Sequence, residues 1–294
     1  MSFIDKINLQ IGSHLGFNKQ LLPTIEKAID CDMGSLQFFL GNNKSFKRQR
    51  LTKEDIEKCI KLTNDYNIDV FSHYPYTSSL VGSVNSLAWN GDIEQDLKTT
   101  NIVKELEHEL YTLSKVSTVN GVVIHPGSYK NTKDGLETIA KSINKINFPE
   151  KSKLLLENSA AEGTKIPKNF KELKTIFDAI DLTKRDNVGV CVDTAHIWGA
   201  GIYNLTKRDE IDKMFYEFDK YIGLDKFNLL HLNDSGVELG SRKDRHECVC
   251  DGKIWGEDNT SLIYLLRKCS EKSISVISET SNAEKDLYVI NQFE

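Results

Sequence analysis

A (β/α)8 TIM barrel is the fold class this sequence predicts, on three observations. Short β-rich runs alternate with amphipathic helical stretches along the chain, there are eight such units, and 294 residues is a length that one α/β barrel can occupy. No low-complexity tract, Pro/Ser-rich linker or shift in composition divides the sequence, so one domain over residues 1–294 is expected. A doubly wound sheet is the alternative, because strand order is not visible in sequence.

The strands read as Ile7–Ser13, Leu36–Leu40, Ile68–Ser72, Val122–Ile124, Leu154–Leu156, Val188–Val192, Asn228–Leu232 and Ile274–Ser278. They are short, rich in Val, Ile, Leu and Phe, and not cleanly alternating, as strands covered on both faces should be. Helices lie between them. The stretch from Leu51 has Thr52 as candidate N-cap, Asp55 three residues on, and acidic Glu54 and Asp55 in its first turn, a loose capping box favoured by the helix dipole. The longest helical stripe, between Gly91 and Val116, has Leu97, Val103, Leu106, Leu110 and Leu113 as its buried face. Further stripes start at Asn169 and Ser261.

With 39% hydrophobic and 28% charged residues, the composition is that of a globular protein able to bury a large core. No apolar run approaches the roughly 18 residues needed to span a bilayer, and the amino terminus shows no apolar signal core, so no membrane association is expected. Six scattered cysteines without a C-x-x-C pair argue against a zinc ribbon or thioredoxin-type site and for reduced thiols in an intracellular protein. The net charge of −5 alone argues mildly against a polyanionic partner.

The chemistry-bearing residues fall at the strand ends. His73, His125, His196 and His231 follow strands directly or within a few residues, and Glu157, Asp193 and Glu279 occupy equivalent places. In a parallel barrel these ends open on one rim, where such enzymes place their active sites. One histidine or acid there is usually structural. Seven from six strand ends are harder to explain so, because buried acids are costly unless paired with cations and few Lys or Arg stand nearby. A polynuclear metal site satisfies them all, and imidazole with carboxylate suits zinc or manganese. Asp244 and His246, two apart, can point the same way from extended backbone and add a further cluster beside His196.

These residues carry a resemblance. Ile11-Gly-Ser-His14, His73-Tyr-Pro-Tyr76, His125-Pro-Gly127, Leu156-Glu157-Asn158, Val192-Asp193-Thr194-Ala-His196, His231-Leu-Asn-Asp-Ser235, Asp244-Arg-His246 and Glu279-Thr280 resemble the motifs of the endonuclease IV family of apurinic/apyrimidinic (AP) endonucleases, from about Ile11 to Glu279. The resemblance implies a barrel with three Zn2+ ions, Mn2+ being an alternative at one site. His73, His125 and Glu157 would hold the first; Glu157 would bridge to the second, completed by Asp193, His231 and Glu279; His196, Asp244 and His246 would hold the third. It implies hydrolysis of the phosphodiester 5′ to an abasic site, leaving a 3′-hydroxyl and a 5′-deoxyribose phosphate. Two cations about 3.5–4 Å apart can activate water for in-line attack, and a third can stabilise the leaving oxygen. Glu157 and Glu279 are the catalytic candidates, Glu279 as proton acceptor.

The implied partner is double-stranded DNA with abasic or 3′-blocked lesions, bound by a monomer. Three zincs would turn −5 into about +1, concentrated on one rim. Lys44, Lys47, Arg48 and Arg50 form a basic loop after the second strand; a solvated loop and phosphate contact remain open for it. By resemblance, Lys44 would insert near the lesion and Tyr76 would wedge into the base stack. Thr77 departs from the apolar wedge usual beside it. His108 is read as solvated, His14 as rim or structural, Cys191 as a buried strand residue, and Cys248 and Cys250 as unassigned. The rival functions are a metal-dependent sugar isomerase or epimerase of the same barrel group, and a non-enzymatic lesion-binding protein.

Overall fold

The computed structural model describes residues 2–81, 93–280 and 282–293. Eight parallel strands close into a barrel in simple chain order: β1 (Ile11–His14), β2 (Ser35–Phe38), β3 (Asp69–His73), β4 (Asn120–Ile124), β5 (Lys153–Glu157), β6 (Val188–Asp193), β7 (Phe227–His231) and β8 (Ser275–Ser278). The closed ring excludes the open doubly wound sheet. β8 pairs with β1 through Ile11–Val276, Gly12–Ile277 and Ser13–Ser278. Two hydroxyls brace this seam: Ser13 Oγ donates to the Ser278 carbonyl at 2.9 Å, and Ser35 Oγ to that of Val276 at 2.8 Å.

All eight strand predictions are met, with a correction at the first. Ile7 is not in β1: Phe3–Ile7 form a short helix, α1, opened by reciprocal Ser2–Asp5 capping and ended by Asn8 at φ 50°. Its apolar residues suit a strand or a helical turn equally, and Phe3 packing edge-on to Phe293, centroids 5.7 Å apart, goes with the helix. The outer helices are α2 (Leu22–Asp30), α3 (Lys53–Asp65), α4 (Ile93–Leu113), α5 (Thr132–Asn144), α6 (Phe170–Ala179), α7 (Thr194–Ala200), α8 (Arg208–Tyr221), α9 (Thr260–Glu271) and α10 (Ala283–Asn291). Thr52 caps α3 by accepting from Asp55 N at 3.1 Å. The Asp55 carboxylate accepts instead from Leu21 N and Leu22 N, at 2.9 and 3.2 Å, and so ties α3 to the start of α2. Val103, Leu106, Leu110 and Leu113 of α4 are buried as predicted; Gly91 and the side chain of Leu97 lie outside the described residues.

The barrel interior explains why the site forms where it does. Phe71, Val123, Leu155, Cys191, Leu229 and Ile277, one from each of β3 to β8, make an inner apolar plug. Leu155 fills the space left by two glycines: a Cβ on Gly121 or Gly189 would lie 2.9 Å from its methyls. Side chains alternate along a strand, so the residue two positions on from each plug member also faces inward, toward the C-terminal mouth. Those six residues are His73, His125, Glu157, Asp193, His231 and Glu279. Among the described residues no helix is long and apolar enough to cross a membrane.

Candidate metal centre

The six inward residues meet above the plug, and two more segments bring in the rest. Asp193 caps α7, its Oδ1 accepting from His196 N at 2.8 Å, which places His196 at the rim. A two-residue antiparallel ribbon, Asp234–Ser235 with His246–Glu247, returns the following loop to the barrel mouth and delivers Asp244 and His246. His73, Tyr76, His125, Glu157, His196, Asp244, Arg245, His246 and Glu279 line a cavity of about 300 Å³.

Ligand-type atoms gather in three overlapping groups. His73 Nε2 and His125 Nε2 lie 3.2 and 3.4 Å from Glu157 Oε2. His231 Nδ1 faces Glu157 Oε1 at 3.3 Å, Glu279 Oε2 at 3.0 Å and Asp193 Oδ2 at 3.9 Å. Asp244 stands between His196 Nε2 and His246 Nε2, at 3.0 Å from each. Asp193 Oδ2 is also 3.7 Å from His246 Nε2. It therefore stands between the second and third groups, and Glu157 between the first and second. The residues of the first two expected sets lie together; in the third the compact group is Asp193, His196 and His246, with Asp244 beside both histidines. Cys248 and Cys250 are in none of these groups.

For three of the histidines one ring nitrogen is held by a carbonyl or amide oxygen. His73 Nδ1 donates to the Tyr74 carbonyl and His196 Nδ1 to that of Asn158, both at 2.8 Å. His231 Nε2 donates to Gln37 Oε1 at 2.9 Å. This is how ligand histidines are oriented, the second nitrogen keeping its lone pair for a metal. His246 Nε2 is buried and faces the carboxylates of Asp244 and Asp193 at 3.0 and 3.7 Å, a setting that suits a cation between them. The donor set fits divalent metal on these grounds.

Charge supports the same reading. Burial alone would push the Glu157 carboxyl up, but the imidazoles of His125, His231 and His73 outweigh it and hold it well below the usual carboxylate range. Glu279 is held down likewise by His231 and His14 against its burial, whereas for Asp193 burial wins and raises it. Burial lowers His125 to about 4. Burial opposes charge on His196 and His246 too, yet the facing carboxylates raise them to about 10 and about 9. Among the described residues, only imidazoles stand within ion-pair reach of the carboxylates of Glu157, Asp193, Asp244 and Glu279. Protonated imidazoles could balance the acids but would have no lone pair to offer; divalent cations satisfy both.

The site contains residues that the strand-end pattern does not single out. Asn158 accepts from Asp193 N at 2.8 Å. Asn233 donates to Asp193 Oδ2 at 2.6 Å and accepts from Glu279 N at 3.0 Å. Gln37 joins His231, Glu279 and His14. Arg245 is the exposed cation at the cavity wall. His14 is at the rim, 3.8 Å from Glu279.

The basic loop after β2 divides. Lys44 and Lys47 are exposed. Arg50 is paired with both Glu105 oxygens at 2.9 and 2.8 Å. Arg48 is buried, 3.7 Å from the buried Glu109, and its side chain bonds the carbonyls of Asn42, Ser45 and Phe46. Arg48 is thus a loop anchor, removed from phosphate because it is buried and its Nε and Nη2 are engaged by the loop carbonyls. His108, expected on a solvated face, is half-buried with Nε2 3.1 Å from the Gln49 carbonyl, so it also pins this loop. Tyr76 is 58% exposed, its ring 5.5 Å from Phe39, 5.3 Å from His73 and 5.5 Å from His125.

A xylose isomerase-like TIM barrel family model (AP endonuclease 2) matches residues 25–288. A protein named probable endonuclease 4 from Methanosphaera stadtmanae is 34% identical over 259 residues, covering 86% of this chain and 87% of that protein. Its namesake from Clostridium beijerinckii is 33% identical over 259 residues, 87% of each chain. Among solved structures, endonuclease IV from Thermus thermophilus superposes with a TM-score of 0.77 at 24% identity, over 96% of this chain and 97% of that one. A D-tagatose 3-epimerase-like protein reaches 0.66 at 17% identity, over 96% of both chains. At these identities the solved structures speak for the fold.

Proposed function

Because this chain belongs to the endonuclease IV family of AP endonucleases, we propose that it hydrolyses the DNA phosphodiester 5′ to abasic sites at a trinuclear zinc centre. The products are a 3′-hydroxyl and a 5′-deoxyribose phosphate. Three Zn2+ ions, with Mn2+ as an alternative at one position, would supply Lewis-acid polarisation of the phosphate and a water reactive at neutral pH. His73, His125 and Glu157 hold the first; Glu157, Asp193, His231 and Glu279 the second; His196, Asp244 and His246 the third.

Within this scheme the chain's own groups have distinct tasks. Glu157 fixes the first two positions relative to each other. Glu279, kept ionised by His231 and His14, accepts a proton from the attacking water. Arg245, on the cavity wall, binds phosphate. Tyr76 enters the gap left by the missing base, and exposed Lys44 meets the DNA backbone. Selection of the lesion then rests on the low cost of turning out a sugar that has no base to unstack. Residues 1–294 act as one domain and as a monomer, inside the cell, on double-stranded DNA with abasic or 3′-blocked lesions.

The observation that carries this reading is the third group. His196, Asp244 and His246 add a third ligand set to the one or two that a one- or two-metal sugar isomerase would need. The test is elemental analysis of protein purified without added metal, alongside incision of an end-labelled abasic duplex. About three divalent ions per chain and cleavage 5′ to the lesion are expected. A single tightly held metal with ketose epimerisation and no incision would replace the proposal by the isomerase reading. Lesion binding without incision would replace it by a binding protein.

A further inference from the structure

Gln37 is the inward-facing residue at the end of β2 and is fully buried. A buried primary amide is costly unless its hydrogen bonds are made. Here Oε1 accepts from His231 Nε2 at 2.9 Å, while Nε2 lies 2.6 Å from Glu279 Oε1 and 3.1 Å from His14 Nδ1. The orientation of the amide is determined by chemistry. Turned over, its oxygen would face the ionised Glu279 carboxylate, which can only accept.

We infer that Gln37 is a positioning residue that sets both His231 and Glu279 at the second metal position. An amide oxygen cannot donate, so it holds the proton of His231 on Nε2 and leaves the Nδ1 lone pair directed at Glu157, Glu279 and Asp193. The same amide's N–H holds one oxygen of Glu279, so that Oε2 is the oxygen turned toward His231. One side chain thereby couples the orientation of a nitrogen ligand to that of the proton acceptor. This inference rests on the proposed zinc centre.

The test compares zinc-loaded wild type with Gln37→Met, which keeps a similar volume and removes every amide hydrogen bond. Removal of such an outer partner of a metal ligand typically costs about 10–100-fold in metal affinity or activity. One zinc of the three should pass to a chromophoric chelator about 10–100-fold faster in the variant. kcat on abasic duplex should fall by a similar factor, and KM should stay within about twofold. A residue that only fills space would leave zinc release unchanged. In wild-type zinc protein, long-range 1H–15N correlation should place the His231 proton on Nε2, a measurement that stands even if the variant does not fold. A proton on Nδ1, or equal zinc release from wild type and Gln37→Met, overturns this assignment alone. A wild-type chain that takes up no metal overturns the proposed function with it.

Discussion

Replacing Arg48 with methionine should loosen the loop that carries Lys44 while leaving the metal centre intact. Arg48 donates from Nε to the Phe46 carbonyl at 3.1 Å and from Nη2 to those of Asn42, at 2.9 Å, and Ser45. Its guanidinium carbon lies 5.3 Å from the centre of the Tyr74 ring, and Nε is 3.7 Å from Glu109 Oε2. Methionine fills much of this volume but offers no donor. Breaking one side of a buried ion pair typically costs about 3–5 kcal/mol, a large part of the roughly 5–15 kcal/mol that holds a domain folded. The lower end applies here, because Glu109, already raised to about 7 by burial, can take up a proton when left alone. Arg48→Met/Glu109→Leu should recover most of that stability, since no unpaired charge remains. It cannot restore the three loop bonds. Urea unfolding should therefore rank wild type first, the double variant next and Arg48→Met last. KM for abasic duplex should rise about tenfold in both variants, with kcat and metal content unchanged. An Arg48→Met protein as stable as wild type, or a double variant with wild-type KM, would refute the reasoning.

Glu109 also sets a pH dependence. Its folded value of about 7 exceeds the ordinary 4.5, so its contribution is intact below about pH 4.5 and is lost as pH rises through 7. The loss should be about 3 kcal/mol, and Glu109→Gln should flatten this part of the curve of unfolding free energy against pH. Glu279→Gln should lower turnover by orders of magnitude while abasic-DNA affinity stays within about tenfold; a collapse of affinity with normal turnover of bound DNA would make Glu279 a binding element. Tyr76→Ala should slow abasic-duplex cleavage much more than removal of a 3′-blocking group at a nick, where the DNA already bends freely. Equal losses on the two substrates would mean that Tyr76 supports the metal rim through His73 and His125.

The barrel is legible in the sequence because eight apolar runs alternate with helical stripes, and six of the candidate metal ligands because a ligand-type residue closes six of those runs. Phe71 and His73, or Leu155 and Glu157, stand two apart on a strand, so apolar identity followed by a ligand-type residue marks an inward face even in sequence. Gln37 obeys the same rule but does not stand out. One amide in the apolar run Leu36-Gln-Phe-Phe-Leu40 looks like any strand polar residue until His231 and Glu279, about 190 and 240 positions away, come within reach. Arg48 shows the converse. Four basic residues in seven positions read as one charged surface, and only Glu105 from α4 and the buried Glu109 separate the paired from the free. At the amino terminus, Ile7 reads as strand but is helical because Asn8 in the left-handed region ends a turn there, and Asn carries no unique mark of that role.

The seam between β8 and β1 gives the centre an order of assembly. On a growing chain, His73, His125 and Glu157 are all present once β5 has been made, and the set of His196, Asp244 and His246 by the end of the ribbon. The set containing Glu279 waits for the last strand, and Glu279 takes its place only when Ser278 meets Ser13, made with the first strand of the barrel. On the proposed assignments, a nascent chain can thus capture zinc well before it can cut DNA. Joining of the two ends of the barrel is the event that turns a metal-binding polypeptide into a nuclease.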